Sequence, residues 1–136
     1  MEKINIIIIG CGRVAQHYKS LIKNKPIKEI NILGVFDANL QVAKKFSEGL
    51  TQNYFDNLQD IIKVGKINLA ILCTPSGAHF EQAKILIEKK INLLVEKPLT
   101  LTPIQSENLI NLAKINKVLL NVAFQNRLNP AIQILK

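Results

Sequence analysis

The sequence predicts an α/β fold: a Rossmann-type, doubly wound parallel sheet of about six strands with helices on both faces. Three observations carry that expectation. Short aliphatic runs alternate with helical segments along the whole chain, with no repeat and no low-complexity linker. The apolar fraction is 48% but aromatics make up only 5%, so the core must be built from Ile, Leu, Val and Ala, as in strands covered on both faces. The length, 136 residues, is about that of one domain.

Ile4 to Ile9 is an apolar run closed by Gly10 and reads as a buried strand. Arg13 to Lys23 has helical spacing, with Val14, Tyr18, Leu21 and Ile22 as its apolar stripe, and Pro26 breaks it. Ile30 to Phe36 is a second strand closed by Asp37, and Asn39 to Glu48 a second helix with Gly49 as its C-cap. Tyr54-Phe55 is a short third strand, after which Asp56, with Gln59 three residues on, starts a small helix. Ile67 to Cys73 is a fourth strand, and Ser76 caps a helix running to about Lys89. Ile91 to Val95 is a fifth strand. Thr102-Pro103 with Gln105 is a strong helix start, an N-cap followed by proline at the first helical position, and that helix runs to about Ile115. Val118 to Ala123 is a sixth strand, and Asn129-Pro130 opens a last helix.

The turn after the first strand carries the first functional signal. Gly10 permits a tight turn, Gly12 offers no side chain to a phosphate approaching the backbone, and Ala15 is small where helix and strand must pack closely. The loop Gly10, Cys11, Gly12, Arg13 and Val14 therefore predicts a dinucleotide site, with the pyrophosphate on the helix N-terminus. Asp37 ends the second strand, where a carboxylate can accept hydrogen bonds from the adenosine ribose hydroxyls. Its charge repels a 2′-phosphate and no arginine follows it, so NAD is expected over NADP. The alternative for Asp37 is a plain cap for the next helix.

The remaining composition narrows the partners. Eighteen Lys and Arg against ten Asp and Glu give a net charge of +8. The lysines are scattered, and without an Arg-rich run or interleaved aromatics the charge disfavours nucleic acid and reads as a solvated surface. Cys11 and Cys73 form no CxxC pair and have no zinc-spaced neighbours, so no metal site is expected. They end the first and fourth strands, neighbours in this fold, and read as two small apolar residues or as a redox pair. Met1-Glu2-Lys3 runs straight into a strand with no signal peptide, and no apolar stretch is long enough to span a membrane; the cytoplasm is the expected location.

Two further segments lie at carboxyl ends of strands: Cys73-Thr74-Pro75-Ser76-Gly77-Ala78-His79 and Val95-Glu96-Lys97-Pro98-Leu99-Thr100. With the glycine loop they resemble the glucose–fructose oxidoreductase / inositol dehydrogenase (Gfo/Idh/MocA) family, over essentially the whole chain. The resemblance implies that Lys97 points at the nicotinamide and assists proton transfer at the hydroxyl being oxidised, its pKa lowered by the cationic ring and partial burial. It implies a cis Lys97-Pro98 bond, a Thr74-Pro75 segment passing beneath the cofactor riboses, a His79 ring reaching the cofactor side, and a Glu96 contact to a nicotinamide ribose hydroxyl. His17 reads as a plain helix-surface residue. The run Phe124-Gln125-Asn126-Arg127-Leu128-Asn129-Pro130 is similar to the branch oxidising UDP-N-acetyl-2-amino-2-deoxyglucuronate at its 3-hydroxyl, with Gln125 near the nicotinamide and Arg127 near the substrate or the domain junction. Inositol or a deoxy-ketosugar is the alternative substrate, and a stand-alone NAD-binding redox sensor the alternative function.

The expected organisation is an NAD(P)-binding domain over 1–124, with 125–136 as the junction and start of a truncated substrate domain. In the family that second, α+β domain supplies most sugar contacts and the subunit interface of a homo-oligomer, and its absence leaves a chain that binds NAD but turns over little substrate. Leu128, Ile132 and Leu135 are expected to be left as exposed apolar surface.

Overall fold

In the computed structural model, which describes residues 3–134, the aliphatic runs become β1 (Ile4–Ile9), β2 (Ile30–Phe36), β3 (Tyr54–Phe55), β4 (Leu69–Leu72), β5 (Asn92–Glu96) and β6 (Leu120–Ala123). They form one sheet in the order β3-β2-β1-β4-β5-β6, and every neighbouring pair is parallel. The chain starts at the centre and winds outward twice, so the strand order reverses between β1 and β4. A crevice opens there, outside the carboxyl ends of the strands. The helices are α1 (Arg13–Asn24), α2 (Leu40–Ser47), α3 (Leu58–Ile61), α4 (Ser76–Glu88), α5 (Pro103–Asn116) and α6 (Pro130–Ile134), with a 3-10 helix at Gln125–Leu128 that the sequence reading did not foresee.

The period of two along β1 sorts its isoleucines into two cores. Ile7 and Ile9 pack with Ile61 of α3, Leu86 and Ile87 of α4 and Leu109 of α5, while Ile6 and Ile8 pack with Ala15 of α1 and Phe46 of α2. All four isoleucines are 4% exposed or less. Each buried side chain of this size contributes about 1.5–3 kcal/mol, so β1 anchors both layers. The apolar surface expected of Leu128, Ile132 and Leu135 concerns side chains outside the described residues.

Element ends depart from the sequence reading for local reasons. Asn57, not Asp56, caps α3, its side chain accepting the Gln59 amide at 2.8 Å. Ser76 lies inside α4; Pro75 precedes it and makes no side-chain cap. Thr102 does cap α5, accepting the Gln105 amide at 3.3 Å. The fourth and sixth strands start two residues later than expected, and asparagine side chains bridge the amino ends of the strands beside the backbone bonds there. Asn31 Nδ2 donates to Asn5 Oδ1, the Asn5 amide to Asn68 Oδ1, Asn92 Nδ2 to the Asn68 carbonyl, and the Leu119 amide to Asn92 Oδ1. Among the described residues no helix is long and apolar enough to cross a membrane.

Candidate functional site

At the crevice, Gly10 has φ +90°, and a Cβ there would lie 2.6 Å from the Thr74 amide nitrogen and 2.7 Å from the Cys73 carbonyl carbon. Only glycine lets the end of β1 press against the segment leaving β4. A Cβ on Gly12, the N-cap of α1, would meet nothing within 4 Å. The first turn of α1 holds no acidic side chain and its N-cap makes no side-chain bond, so its amides face open space that a phosphate can fill.

Two clefts adjoin across this turn. The first, ≈ 570 Å³, is lined by Gly10, Gly12, Arg13, Val14, Asp37, Thr74 and Pro75, with Phe36, Ala38, Cys73, Ala78 and Gln82. The second, ≈ 470 Å³, is lined by Val14, His17, Tyr18, Leu21, Glu96, Lys97 and Gln125. Val14 belongs to both, so the two clefts are halves of one elongated groove.

Asp37 is not the helix cap; Asn39 is, accepting the Gln41 amide at 3.0 Å. Instead the Asp37 carboxylate accepts the Cys11 amide on one oxygen and the Asn39 amide on the other, each at 3.0 Å. Each oxygen has capacity for a further hydrogen bond, and Asp37 lines the first cleft. Cys11 was expected to hold the cofactor, but it is 2% exposed, with its thiol donating to the Phe36 carbonyl at 3.3 Å. It shapes the loop through its amide and lies outside the lining of the first cleft. Burial, the Asp37 charge and Cys73 push the Cys11 thiol up to about 12. Burial and Glu96 raise Cys73 to about 12.

His79 was expected to reach the cofactor side, and here too the structure differs. The ring is 1% exposed, with Nδ1 2.8 Å from the Pro98 carbonyl and Nε2 2.9 Å from the Thr74 carbonyl. It ties together the two segments that frame the groove. Thr74 also donates its hydroxyl to Gln82 Oε1 at 2.6 Å. Lys97-Pro98 is cis. Lys97 lines the second cleft but is exposed, so the partial burial expected for it is not provided by this chain's own walls.

Glu96 is 6% exposed. Its Oε1 accepts the Tyr18 hydroxyl at 2.7 Å, and Gln125 Nε2 donates to Oε1 at 3.0 Å and Oε2 at 3.3 Å. Burial first, then hydrogen bonding to Glu96, raises the Tyr18 phenol well above its ordinary value. Tyr18 was read only as part of an apolar stripe and His17 only as surface; both line the second cleft. The signal for Tyr18 was a polar-tipped aromatic on a stripe ending beside a ligand loop. Arg127 stands apart, exposed, with its guanidinium 4.8 Å from the centre of the Phe124 ring and in neither cleft.

A groove with a bare helix N-terminus at its middle, a carboxylate at one end and a lysine at the other has the plan of a dinucleotide site. Residues 4–124 match the oxidoreductase family Gfo/Idh/MocA, described as having an NAD-binding Rossmann fold. The chain belongs to this family. It is thus an NAD-binding Rossmann domain, and the open space at Gly12 and the carboxylate at Asp37 fit that cofactor. Among solved structures, the WlbA dehydrogenase from Chromobacterium violaceum, in complex with NADH and UDP-GlcNAcA, is 28% identical with a TM-score of 0.91, the match covering 100% of this chain and 39% of that one. UDP-N-acetylglucosamine 3-dehydrogenase from Acidithiobacillus ferrooxidans is 26% identical over 129 residues, 95% of this chain and 39% of its own length. The redox-sensing transcriptional repressor Rex from Caldicellulosiruptor saccharolyticus is 28% identical over 90 residues, 64% of this chain and 39% of its own length. The chain spans about two fifths of the length of these relatives.

Proposed function

We propose that this chain is the cofactor-binding half of an NAD-dependent sugar dehydrogenase whose substrate is a nucleotide sugar, in the first instance a nucleotide-sugar acid. The observation that carries the reading is the second cleft, where Lys97 stands beside a buried, hydrogen-bonded Glu96 at the carboxyl end of β5. The relatives that cover nearly the whole chain, a UDP-sugar 3-dehydrogenase and a dehydrogenase complexed with a UDP-sugar acid, support the substrate class.

NAD, when bound, supplies the hydride acceptor. The protein's part is to position and to move a proton. The α1 amides hold the pyrophosphate, Asp37 holds the adenosine ribose and favours NAD over NADP, and Thr74 and Pro75 floor the groove. Glu96 and Gln125 lie against the nicotinamide end. With the cofactor bound, Lys97 would be the group placed to take the hydroxyl proton of the alcohol being oxidised and to return it in the reverse direction. Arg127, exposed on the 3-10 helix after β6, is assigned to the substrate or the domain junction. Residues 1–124 form the NAD-binding unit and 125–136 the junction to the sugar-binding part of the protein.

The test is NADH formation at 340 nm from NAD and a panel of UDP-N-acetylglucosaminuronate, UDP-N-acetylglucosamine, glucose 6-phosphate and myo-inositol, using the whole protein that carries this chain. Turnover confined to a UDP-sugar, with kcat reduced at least about a hundredfold in Lys97→Met, is the expected result. Turnover unaffected by Lys97→Met would remove the lysine's role. The match to Rex favours one second reading, an NADH sensor. A sensor needs the glycine loop and Asp37 but has no use for Lys97, so loss of activity in Lys97→Met with cofactor binding intact speaks against it.

A further inference from the structure

Glu96 is a carboxylate buried at the end of β5, 6% exposed. Buried carboxylates are normally matched by a cation. Among the described residues Glu96 is matched only by neutral donors, the Tyr18 hydroxyl and the Gln125 amide. Among the described residues the single ion pair joins Lys63 and Asp60, far along the chain from this site. Lys97, its neighbour in sequence, is exposed and makes no ion pair with it. Hydrogen bonding here is satisfied while the charge is not. The field of that charge is felt nearby, where it helps to raise the thiol of Cys73 and the phenol of Tyr18. The carboxylate lines the second cleft together with Lys97 and Gln125.

Resting on the reading that this cleft receives the nicotinamide, we propose that Glu96 is the counter-ion of the oxidised ring and so selects NAD⁺ over NADH. The two cofactor forms differ there by one charge: the oxidised ring is a cation and the reduced ring is neutral. A fixed negative charge within several ångströms, in surroundings of lower dielectric than water, favours the cation by about tenfold or more. Exposed Lys97 opposes this weakly, since solvent and salt screen it far more than the buried carboxylate. Tyr18 and Gln125 are the positioning residues. They orient the carboxylate without cancelling its charge, which a Lys or Arg in either place would do. The same charge loosens the cofactor once it is reduced, which speeds release of NADH in the oxidative direction.

The experiment is titration of this chain with NAD⁺ by calorimetry and with NADH by fluorescence, at one pH and ionic strength, with ADP-ribose as a ligand lacking the ring. In Glu96→Gln the ratio Kd(NADH)/Kd(NAD⁺) should fall about tenfold while ADP-ribose binding is unchanged, and Glu96→Asp should keep most of the wild-type ratio. Gln125→Lys, at an exposed position, should lower the ratio in the same direction without altering the buried residue, and it decides the matter if Glu96→Gln does not fold. Equal weakening of NAD⁺, NADH and ADP-ribose would make Glu96 a structural residue and overturn the proposal. Wild-type chain that binds ADP-ribose as tightly as NAD⁺ and NADH would instead overturn the placement of the nicotinamide in this cleft.

Discussion

At Asp37, both carboxylate oxygens already accept one backbone amide, from Cys11 and from Asn39 at 3.0 Å, which holds the charge at the end of β2. Asp37→Ala removes a loop bond, which weakens every dinucleotide, an acceptor for the adenosine ribose, which weakens NAD, and a charge that repels a 2′-phosphate, whose loss favours NADP. The affinity ratio of NAD to NADP is therefore expected to fall about tenfold, as read by calorimetric titration with both; equal losses would leave Asp37 only its loop-shaping bond. The thiols carry a second prediction. Cys11 and Cys73 are both pushed up to about 12, chiefly by burial, so they stay protonated at neutral pH and behave as small apolar residues instead of a redox pair. Alkylation by iodoacetamide at pH 8 should be slow in the folded chain and fast in denaturant. Because the folded values lie above the ordinary thiol value of 9.0, the stability they confer is fully present below about pH 9 and is lost as pH rises toward 12. Thermal unfolding should show that loss, and Cys73→Ala should make it shallower. At this scale the placement of Gly10, Asp37 and Lys97 beside the groove was legible because each follows a strand and has a type-specific reason to be there. Tyr18 and His79 were not, since their partners, Glu96 and the Pro98 carbonyl, come from 78 and 19 residues away. No local pattern encodes such contacts.

Among the elements, the turn from β1 into α1 tolerates the least. Gly10 combines φ +90° with a backbone collision for any Cβ, at 2.6 Å from Thr74 and 2.7 Å from Cys73. The colliding atoms are main chain held in the β4 segment and cannot swing aside. Gly10→Ala should therefore cost about 2–5 kcal/mol, adding the strain of the left-handed region to that of overpacking. Denaturant unfolding gives the number, and NAD binding should fall with it. A cost under 1 kcal/mol would mean that β1 and β4 can part without penalty. Helix and strand identities were legible from periodicity and aliphatic content throughout. The ends were less so. Asn57 displaced Asp56 as a cap, and the side chains of Asn31, Asn5, Asn68 and Asn92 link the amino ends of neighbouring strands, a pattern that depends on which strand lies alongside.

For the whole molecule, alternation and right-handed crossovers leave few arrangements, and the order β3-β2-β1-β4-β5-β6 is the one that buries aliphatic runs on both faces. The groove was less legible, since its two halves are built from five separate stretches of chain that only the sheet brings together. That geometry makes a prediction about linkage. A ligand that binds only the folded state stabilises it by RT ln(1 + [L]/Kd), about 2.7 kcal/mol at a hundredfold excess over Kd. For a domain of this length that is a rise of roughly 10 °C in the unfolding midpoint. ADP can occupy only the half lined by Gly12, Asp37 and Thr74, whereas NAD also reaches Glu96, Lys97 and Gln125. At equal concentration NAD should therefore raise the midpoint more than ADP, and the difference should shrink when the second half is filled by Val14→Trp, a side chain bordering both clefts. Equal shifts from NAD and ADP would mean that the β5 and β6 ends add nothing to cofactor affinity, and the nicotinamide would have to lie elsewhere.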